Sequence, residues 1–183
     1  MRIISGGQTG VDRAALDVAL ERGMSCGGWC PRGRRAEDEP LPASYPMQET
    51  PSSAYAQRTG WNVRDSDGTL VLNRGELLGG TAETVEVAAR LRKPVLVLDL
   101  DSQPDPATVH AWLAEHRIRV LNIAGPRESK RPGIYHRAAQ FLRQLFGAGR
   151  KCQTLKVPGT SGAATARSRC RKRISGAGQP ATG

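Results

Sequence analysis

The chain has 183 residues, of which 38% are hydrophobic, 24% charged and 4% aromatic, a composition typical of a globular protein. At ~150 residues per domain, this length predicts one domain and a remainder. The longest β-like apolar run, residues 95–98, is far shorter than a membrane span. The chain reaches Gly6 too early for a signal peptide of ~15–30 residues. We therefore expect no membrane span, no classical secretion and a cytoplasmic location.

The net charge of +10, from 27 basic and 17 acidic residues, is concentrated near the carboxyl end. Residues 148–183 contain eight basic residues and no acidic one, and they are rich in Gly, Ala, Ser, Thr and Arg. This composition predicts a disordered basic tail after a domain at residues 1–147. The nearly neutral body argues against a nucleic-acid groove, so we expect nucleic acid to bind only non-specifically, through the tail.

Metal-binding patterns are weak in this sequence. Cys26 and Cys30 lack the two-residue gap of a zinc knuckle or redox motif, and the histidines have no ligand spacing. We expect reduced thiols and no metal held by side chains alone. Asp65 and Asp67 leave two alternatives open. One is ordinary turn chemistry, and the other is a pair of carboxylates that holds Mg²⁺ against a phosphate of a bound nucleotide.

Strands and helices alternate along the first 147 residues, which predicts an α/β fold with a parallel sheet and helices on both faces. The run at 94–100 has no alternation and predicts a strand buried on both faces. The predicted strands are 1–5, 25–30, 69–72, 94–100 and 118–124, and the predicted helices are 11–22, 81–92, 106–116 and 133–146.

Residues 31–60 have no apolar period and are rich in Pro, Arg, Glu and Ser. They predict a long irregular segment, and loops of that length inside a domain are usually functional or wrongly assigned. Two interpretations remain open. The segment folds over a site as a lid, or it is a solvated surface loop. The residues that a lid would bring to a ligand are Arg32, Arg34, Tyr45 and Arg58.

Small-residue loops follow the predicted strands at 1–5, 69–72 and 118–124, and each leads toward a helix. In an open parallel sheet such loops gather at the carboxyl edge, so we expect Gly7, Gly80 and Gly125 to lie at one rim. Glycine lets a backbone approach a ligand closely, and the free N–H groups of a helix start favour an anion. No Gly-x-Gly-x-x-Gly is present and the first loop lacks a P-loop lysine, which disfavours ordinary dehydrogenases and NTPases.

Five motifs in order resemble the family labelled "putative molybdenum carrier", also described as the circularly permuted YpsA-like branch of the SLOG superfamily. The resemblance covers nearly all of residues 1–146 and implies a Rossmann-like sheet with a nucleotide-type pocket at the glycine loops. The motifs are 5–12 (SGGQTGVD), 28–34 (GWCPRGR), 62–69 (NVRDSDGT), 79–84 (GGTAET) and 121–129 (LNIAGPRES).

The resemblance leaves the activity open. The phosphoribohydrolases of the superfamily carry Gly-Gly-x-Gly-Thr-x-x-Glu, in which the glutamate works with an arginine to release a base from a nucleotide monophosphate. This chain has Thr84 where that motif has glutamate. Glu83 and Glu86 are displaced by at least ~100° around the helix axis, so neither takes its place automatically.

The sequence therefore predicts a site for a small phosphate-bearing ligand, a nucleotide or a derivative of one, with hydrolysis left open. The alternative is a carrier of molybdate or of molybdenum cofactor. Molybdate is an oxyanion and the cofactor carries a phosphate, so either ligand could bind the same backbone N–H donors at the helix starts. The oligomeric state is open, a homo-oligomer included. The predicted ligand-binding residues are Gly6, Gly7, Gln8, Thr9, Gly10, Asp12, Arg13, Arg32, Gly79, Gly80, Thr81, Thr84, Gly125, Pro126, Arg127, Glu128 and Ser129.

Overall fold

Parallel strands form the centre of the fold, and α-helices cover them. A computed structural model describes residues 1–147, so the expected basic tail lies outside the described residues. Within 1–147, no helix combines the length and apolar character that crossing a membrane requires. The strands are β1 (Arg2–Ile4), β2 (Cys26–Cys30), β3 (Met47–Glu49), β4 (Gly68–Asn73), β5 (Val95–Asp99) and β6 (Val120–Ala124). The helices are α1 (Val11–Glu21), α2 (Tyr55–Arg64), α3 (Gly79–Arg90), α4 (Pro106–Glu115) and α5 (Ile134–Gly147).

The strand order places the topological switch point near the middle of the sheet. The order is β3-β2-β1-β6-β4-β5, and all neighbouring strands are parallel. The chain runs outward from β1 to β3, begins again at β4 on the other side, and returns as β6 between β1 and β4. The carboxyl ends of β1, β6 and β4 therefore lie side by side, where ligands bind in folds of this class. The predicted α/β architecture is confirmed.

Helices pack on both faces of the sheet. On one face α1 and α4 both contact α5, and on the other α2 contacts α3. The larger core joins the first group to the strands through fully buried residues such as Leu70, Leu121 and Leu142. A smaller core of Val63, Val87 and Ala88 serves the second group. In α1 and α5 the apolar residues at helical spacing that predicted each helix are buried in the larger core.

The prediction that the strand at 94–100 is buried on both faces is wrong. This segment forms β5, the edge strand of the sheet, where Val97 is 39% exposed. The strand with every residue buried is β4, which pairs with both β5 and β6. An apolar run indicates strand formation, but its burial depends on neighbours that the local sequence does not specify.

The prediction that residues 31–60 are irregular is also wrong in part. The segment contains the short edge strand β3 and the first half of α2. In α2 the buried residues are Thr59, Asn62 and Val63, which follow helical spacing but include only one apolar side chain. A periodicity test based on apolar residues does not detect a helix that buries polar groups.

Candidate functional site

Three glycine loops follow β1, β4 and β6, and we call them the first (residues 5–10), second (78–81) and third (124–129) loops. The first and third loops are joined at the carboxyl edge of the sheet. The N–H of Val11, the first residue of α1, donates to the carbonyl of Pro126 at 3.2 Å. Gly10 has a φ of +75°, and a Cβ there would collide with that same carbonyl oxygen. The position therefore requires glycine both for its backbone conformation and for the close approach of the third loop.

Residues from all three glycine loops line one cavity of about 490 Å³ beside the switch point. This volume lies within the ~300–1,000 Å³ of small-molecule sites. Gln8 follows β1, Asn73 ends β4, and Gly125 follows β6, so the three adjacent central strands deliver side chains or backbone to the same space. The start of α3 and one face of α2 complete the lining.

The start of α3 presents free backbone donors to the cavity. Gly79 and Gly80 are the first residues of the helix, and no side chain caps its N-terminus. A Cβ at either glycine would meet no atom within 4 Å, so open space lies beside this part of the backbone. Uncapped helix N-terminal N–H groups and the helix dipole both favour an anion at this position.

Asp12 and Arg58 form a buried ion pair in the cavity wall. Arg58 Nη1 lies 3.2 Å from Asp12 Oδ2, and the two side chains are 13% and 3% exposed. Burial raises the pKa of Asp12, and the charge of Arg58 opposes this without cancelling it. Asp12 is in the first turn of α1, as predicted, but its carboxylate is also the counter-ion of an arginine from α2.

Polar atoms that lack partners also belong to this wall. Among the described residues, Gln8 Nε2, Arg58 Nε and Asn73 Oδ1 are buried side-chain atoms without a hydrogen bond. All three residues line the cavity. Buried polar atoms in proteins are nearly always paired, so three exceptions around one space indicate a missing partner there.

Positive charge reaches the mouth of the cavity from the third loop. The guanidinium of Arg127 stacks over the ring of Tyr55, 4.4 Å from its centre, and Lys130 is an exposed lining residue. Arg131 also lines the cavity, but its guanidinium donates to the carbonyls of Arg74 and Glu76. Arg127 has a distant ion partner, since its Nη1 lies 4.0 Å from Oε2 of Glu37. Arg127 and Lys130 are the lining cations outside the buried pair whose side chains donate to no carbonyl among residues 1–147.

Other donors of the predicted site are bound by a carboxylate of this chain. Glu37 accepts hydrogen bonds from the hydroxyl of Thr9 and from both the N–H and the hydroxyl of Ser129. Burial alone would raise the pKa of Glu37, but the bonds from Ser129 and Thr9 outweigh it and lower that pKa. These residues, together with Arg13 and Glu128, line a second, more open groove.

The structure brings together about half of the predicted site residues. Arg32 is exposed and lines neither space, and the Gly6, Gly7 and Gly10 backbone packs against neighbouring loops and side chains. Glu128 accepts from the N–H of Tyr135 near the start of α5. The predicted residues that line the cavity are Gln8, Asp12, Gly79, Gly80, Thr81, Thr84, Gly125, Pro126 and Arg127.

The sequence pattern predicts neither α2 nor the end of β4, and several lining residues belong to these two elements. It indicates Arg58 only as a lid residue and Glu83 only as a displaced carboxylate. Asn73 was detectable, because it extends a predicted strand by one residue toward the carboxyl edge. The lining residues absent from the predicted site are Tyr55, Arg58, Thr59, Asn73, Glu76, Leu78, Glu83, Ala124, Lys130 and Arg131.

Asp65 and Asp67 lie at the amino end of β4, the opposite end from Asn73. Asp67 accepts from the backbone N–H groups of Arg119 and Val120 at 2.9 and 2.8 Å. Asp65 pairs with Arg64 at 2.7 Å. Both carboxylates are therefore occupied by groups of this chain. The partners of Asp67, and the indole of Trp29 that donates to Asp65, lie far from the turn in sequence, so local turn chemistry does not describe these contacts. Within residues 1–147 no group of three or more His, Cys, Asp or Glu is arranged to hold a metal ion.

Comparisons with known proteins agree on one family. A crystal structure described as that of a "putative molybdenum carrier protein" from Syntrophus aciditrophicus SB is 47% identical to this chain, with a TM-score of 0.76, and the match covers 79% of this chain and 93% of that one. Among curated proteins there is no match. The model described as "Circularly permutated YpsA SLOG family" matches residues 3–146. The chain therefore belongs to the circularly permuted YpsA SLOG family.

Proposed function

We propose that the cavity binds a small phosphate-bearing organic ligand, a nucleotide or a molecule derived from one. The observation that carries this proposal is the uncapped start of α3, where Gly79 and Gly80 line a cavity of about 490 Å³. Arg127 adds a planar cation suited to phosphate oxygens. A cavity of this size is larger than a single tetrahedral anion needs, which favours an organic ligand.

A second candidate is a carrier of molybdenum, as molybdate or as molybdenum cofactor. It is favoured by the 47% identity to a protein whose description carries that function. Molybdate is a tetrahedral oxyanion and the cofactor carries a phosphate, so both would use the same N–H and guanidinium donors. The described cysteines, Cys26 and Cys30, do not line the cavity. The described residues would therefore hold a molybdenum species through its oxygens and not by thiolates.

The proposal is for binding, because the position of the glutamate that the related hydrolases use carries no carboxylate in this chain. Thr84 occupies the position of the glutamate that the related hydrolases use, and its hydroxyl donates to the carbonyl of Gly80 at 2.7 Å within the helix. It therefore offers neither a free carboxylate nor a free hydroxyl. Release of free base from a nucleoside monophosphate during incubation with the protein would contradict this part of the proposal.

Thermal melting with a ligand panel tests the proposal. Ribonucleoside monophosphates, nucleotide sugars, inorganic phosphate and molybdate are compared at concentrations far above plausible dissociation constants, where a ligand that binds the folded state raises Tm. We expect a shift with at least one organic phosphate. It should shrink in Arg127→Met but persist in Arg90→Met, which removes an exposed arginine from the far end of α3.

Metal analysis of the purified protein separates the two candidates. Stoichiometric molybdenum, or a Tm shift with molybdate alone, favours the carrier. A shift with organic phosphates and no molybdenum favours the nucleotide-type ligand. The absence of any Tm shift together with the absence of molybdenum contradicts both candidates.

A further inference from the structure

Asn73 is the last residue of β4, and its side-chain oxygen is a buried acceptor without a donor among residues 1–147. Asn73 as a whole is 2% exposed. The amide orientation is fixed, because Nδ2 donates to the carbonyl of Gly75 at 2.7 Å. The oxygen therefore faces its surroundings as an acceptor, and an unpaired buried acceptor carries the full cost of its desolvation.

Gln8 contributes the opposite kind of atom. Its side-chain oxygen accepts from the N–H of Glu37 at 2.7 Å and from the N–H of Thr9 at 3.1 Å, so its amide is also oriented. Nε2 is left as a buried donor without an acceptor, as is Nε of Arg58. Residues that line the cavity thus hold two buried donors without acceptors and one buried acceptor without a donor, and a ligand reaches these atoms once the side chains that cover them shift.

This pattern discriminates between classes of ligand. A deprotonated phosphate or molybdate provides oxygen acceptors only, which suits Gln8 and Arg58 but leaves Asn73 unpaired. A ligand that pairs all three must also carry a hydrogen-bond donor. An ammonium group is disfavoured beside Arg58 and Arg127, because like charges repel most strongly where water is excluded. A neutral hydroxyl or a neutral N–H meets the requirement, and the sugar hydroxyl is the donor that all ribonucleotides share.

We propose that Asn73 is a specificity-determining residue that accepts a hydrogen bond from a sugar hydroxyl of the ligand. The cavity then selects sugar phosphates and nucleotides over free tetrahedral oxyanions. This inference rests on the proposed function and narrows it to ligands that carry both an anionic group and a hydroxyl. Sites built around a hydrogen bond to a ligand hydroxyl reject analogues that lack it, because a buried group is then left unpaired.

Calorimetric titration with matched ligands tests the inference. The probe is the tightest-binding of the four common ribonucleoside monophosphates, compared with its 2′-deoxy and 3′-deoxy analogues. On the wild-type chain we expect one deoxy analogue to bind roughly tenfold to a hundredfold more weakly. Inorganic phosphate and molybdate should bind more weakly than the ribonucleotide.

Two variants assign the effect to this residue. In Asn73→Leu the ribonucleotide and the deoxy analogue should bind equally, because the acceptor is gone. In Asn73→Asp an acceptor oxygen remains, so the discrimination should remain, at a weaker overall affinity for the phosphate. The wild-type comparison between ligands requires no variant, and it is therefore decisive even if Asn73→Leu does not fold.

Each contrary result has a distinct meaning. Equal binding of the ribonucleotide and both deoxy analogues to the wild-type chain overturns the role of Asn73 and leaves the proposed function intact. Discrimination that persists in Asn73→Leu also overturns it. Binding of molybdate or phosphate alone overturns the inference and leaves the carrier candidate. Failure of every probe to bind contradicts both the inference and the proposed phosphate-bearing ligand.

Discussion

Arg58 Nη1 lies 3.2 Å from Asp12 Oδ2, and this contact joins α2 to the first turn of α1 across the wall of the cavity. Both side chains are largely buried, and the carboxylate also accepts from the N–H of Gln8 at 3.4 Å. The pair and this backbone contact therefore connect α2 to the first glycine loop. We expect its loss to change both the stability of the fold and the wall of the cavity.

Removing one partner of this pair should be more harmful than removing both. Arg58→Met leaves the Asp12 carboxylate buried without its counter-ion, and we expect a loss of about 3 kcal/mol in the free energy of unfolding. The double variant Asp12→Asn/Arg58→Met should recover part of that loss, because it leaves no unpaired charge. Chemical denaturation of the wild type, both single variants and the double variant at pH 7 measures the coupling. If the losses of the two single variants simply added up in the double variant, the predicted coupling between Asp12 and Arg58 would be contradicted.

The same pair makes a prediction about pH. The pKa of Asp12 is raised in the folded protein by burial, against an ordinary value of 3.8. The folded state then binds the proton more tightly than the unfolded state, so this contribution to stability is full below pH 3.8 and is lost as pH rises through the folded pKa. In Arg58→Met the pKa of Asp12 should rise further, because the charge that lowers it is gone. The free energy of unfolding should therefore continue to fall up to a higher pH than in the wild type. Unfolding measured between about pH 4 and 8 should show a weaker dependence in Asp12→Asn.

Glu37 should hold the segment before β3 onto the glycine loops in a charge-dependent way. Hydrogen bonds from Ser129 and Thr9 lower its pKa despite burial, so its contribution is present above the ordinary value of 4.5 and is lost as pH falls through the folded pKa. We expect Glu37→Gln to speed amide exchange in residues 31–46 at pH 7. The wild type should approach the variant as the solution is acidified below pH 4.5.

Glu39→Gln is the matched control for Glu37→Gln. It removes an exposed carboxylate two positions away in the same segment. Exchange in residues 31–46 should remain at the wild-type rate, because surface substitutions of this kind rarely change stability by more than ~0.5 kcal/mol. Equal acceleration in both variants would mean that overall charge, and not the contacts of Glu37, holds the segment.

Two glycines of the site should respond oppositely to alanine. Gly10 has a φ of +75°, and its added methyl would collide with the Pro126 carbonyl, so Gly10→Ala should lower the free energy of unfolding by more than ~1 kcal/mol. Gly80 is within the first turn of α3, has no positive φ and has open space around its Cβ position. Gly80→Ala should be neutral or stabilising by up to about 1 kcal/mol. Denaturation of both variants distinguishes the two roles.

The sequence predicts the common edge of the glycine loops correctly, because each loop can be recognised from its own short stretch of the chain. The loops at Gly10, Gly80 and Gly125 each follow a strand, and parallel topology then requires them to share an edge. The contacts of Glu37 with Thr9 and Ser129 could not be predicted in this way. They depend on how a segment without periodicity packs against loops roughly 30 and 90 positions away along the chain.

The cavity wall formed by α2 was missed for a different physical reason. Its buried face consists mainly of polar side chains, and Asn62 bonds to the N–H and carbonyl of Trp29 at 2.8 and 2.9 Å. Such a helix is stabilised by specific hydrogen bonds to β2 and not by an apolar stripe. Its hydrophobic pattern is therefore too weak to predict a helix or to show that Arg58 faces Asp12.

The contrast between β4 and β5 gives a final prediction about stability. Both strands are apolar and pair with each other in parallel. Leu70 in β4 is nevertheless fully buried, whereas Val97 in β5 is 39% exposed. Leu70→Ala should cost at least ~2 kcal/mol, because it leaves a cavity in the larger core. Val97→Ala should cost less than ~1 kcal/mol, because its side chain has few neighbours to lose. Equal losses in denaturant titrations of the two variants would mean that the edge of β5 is covered in solution.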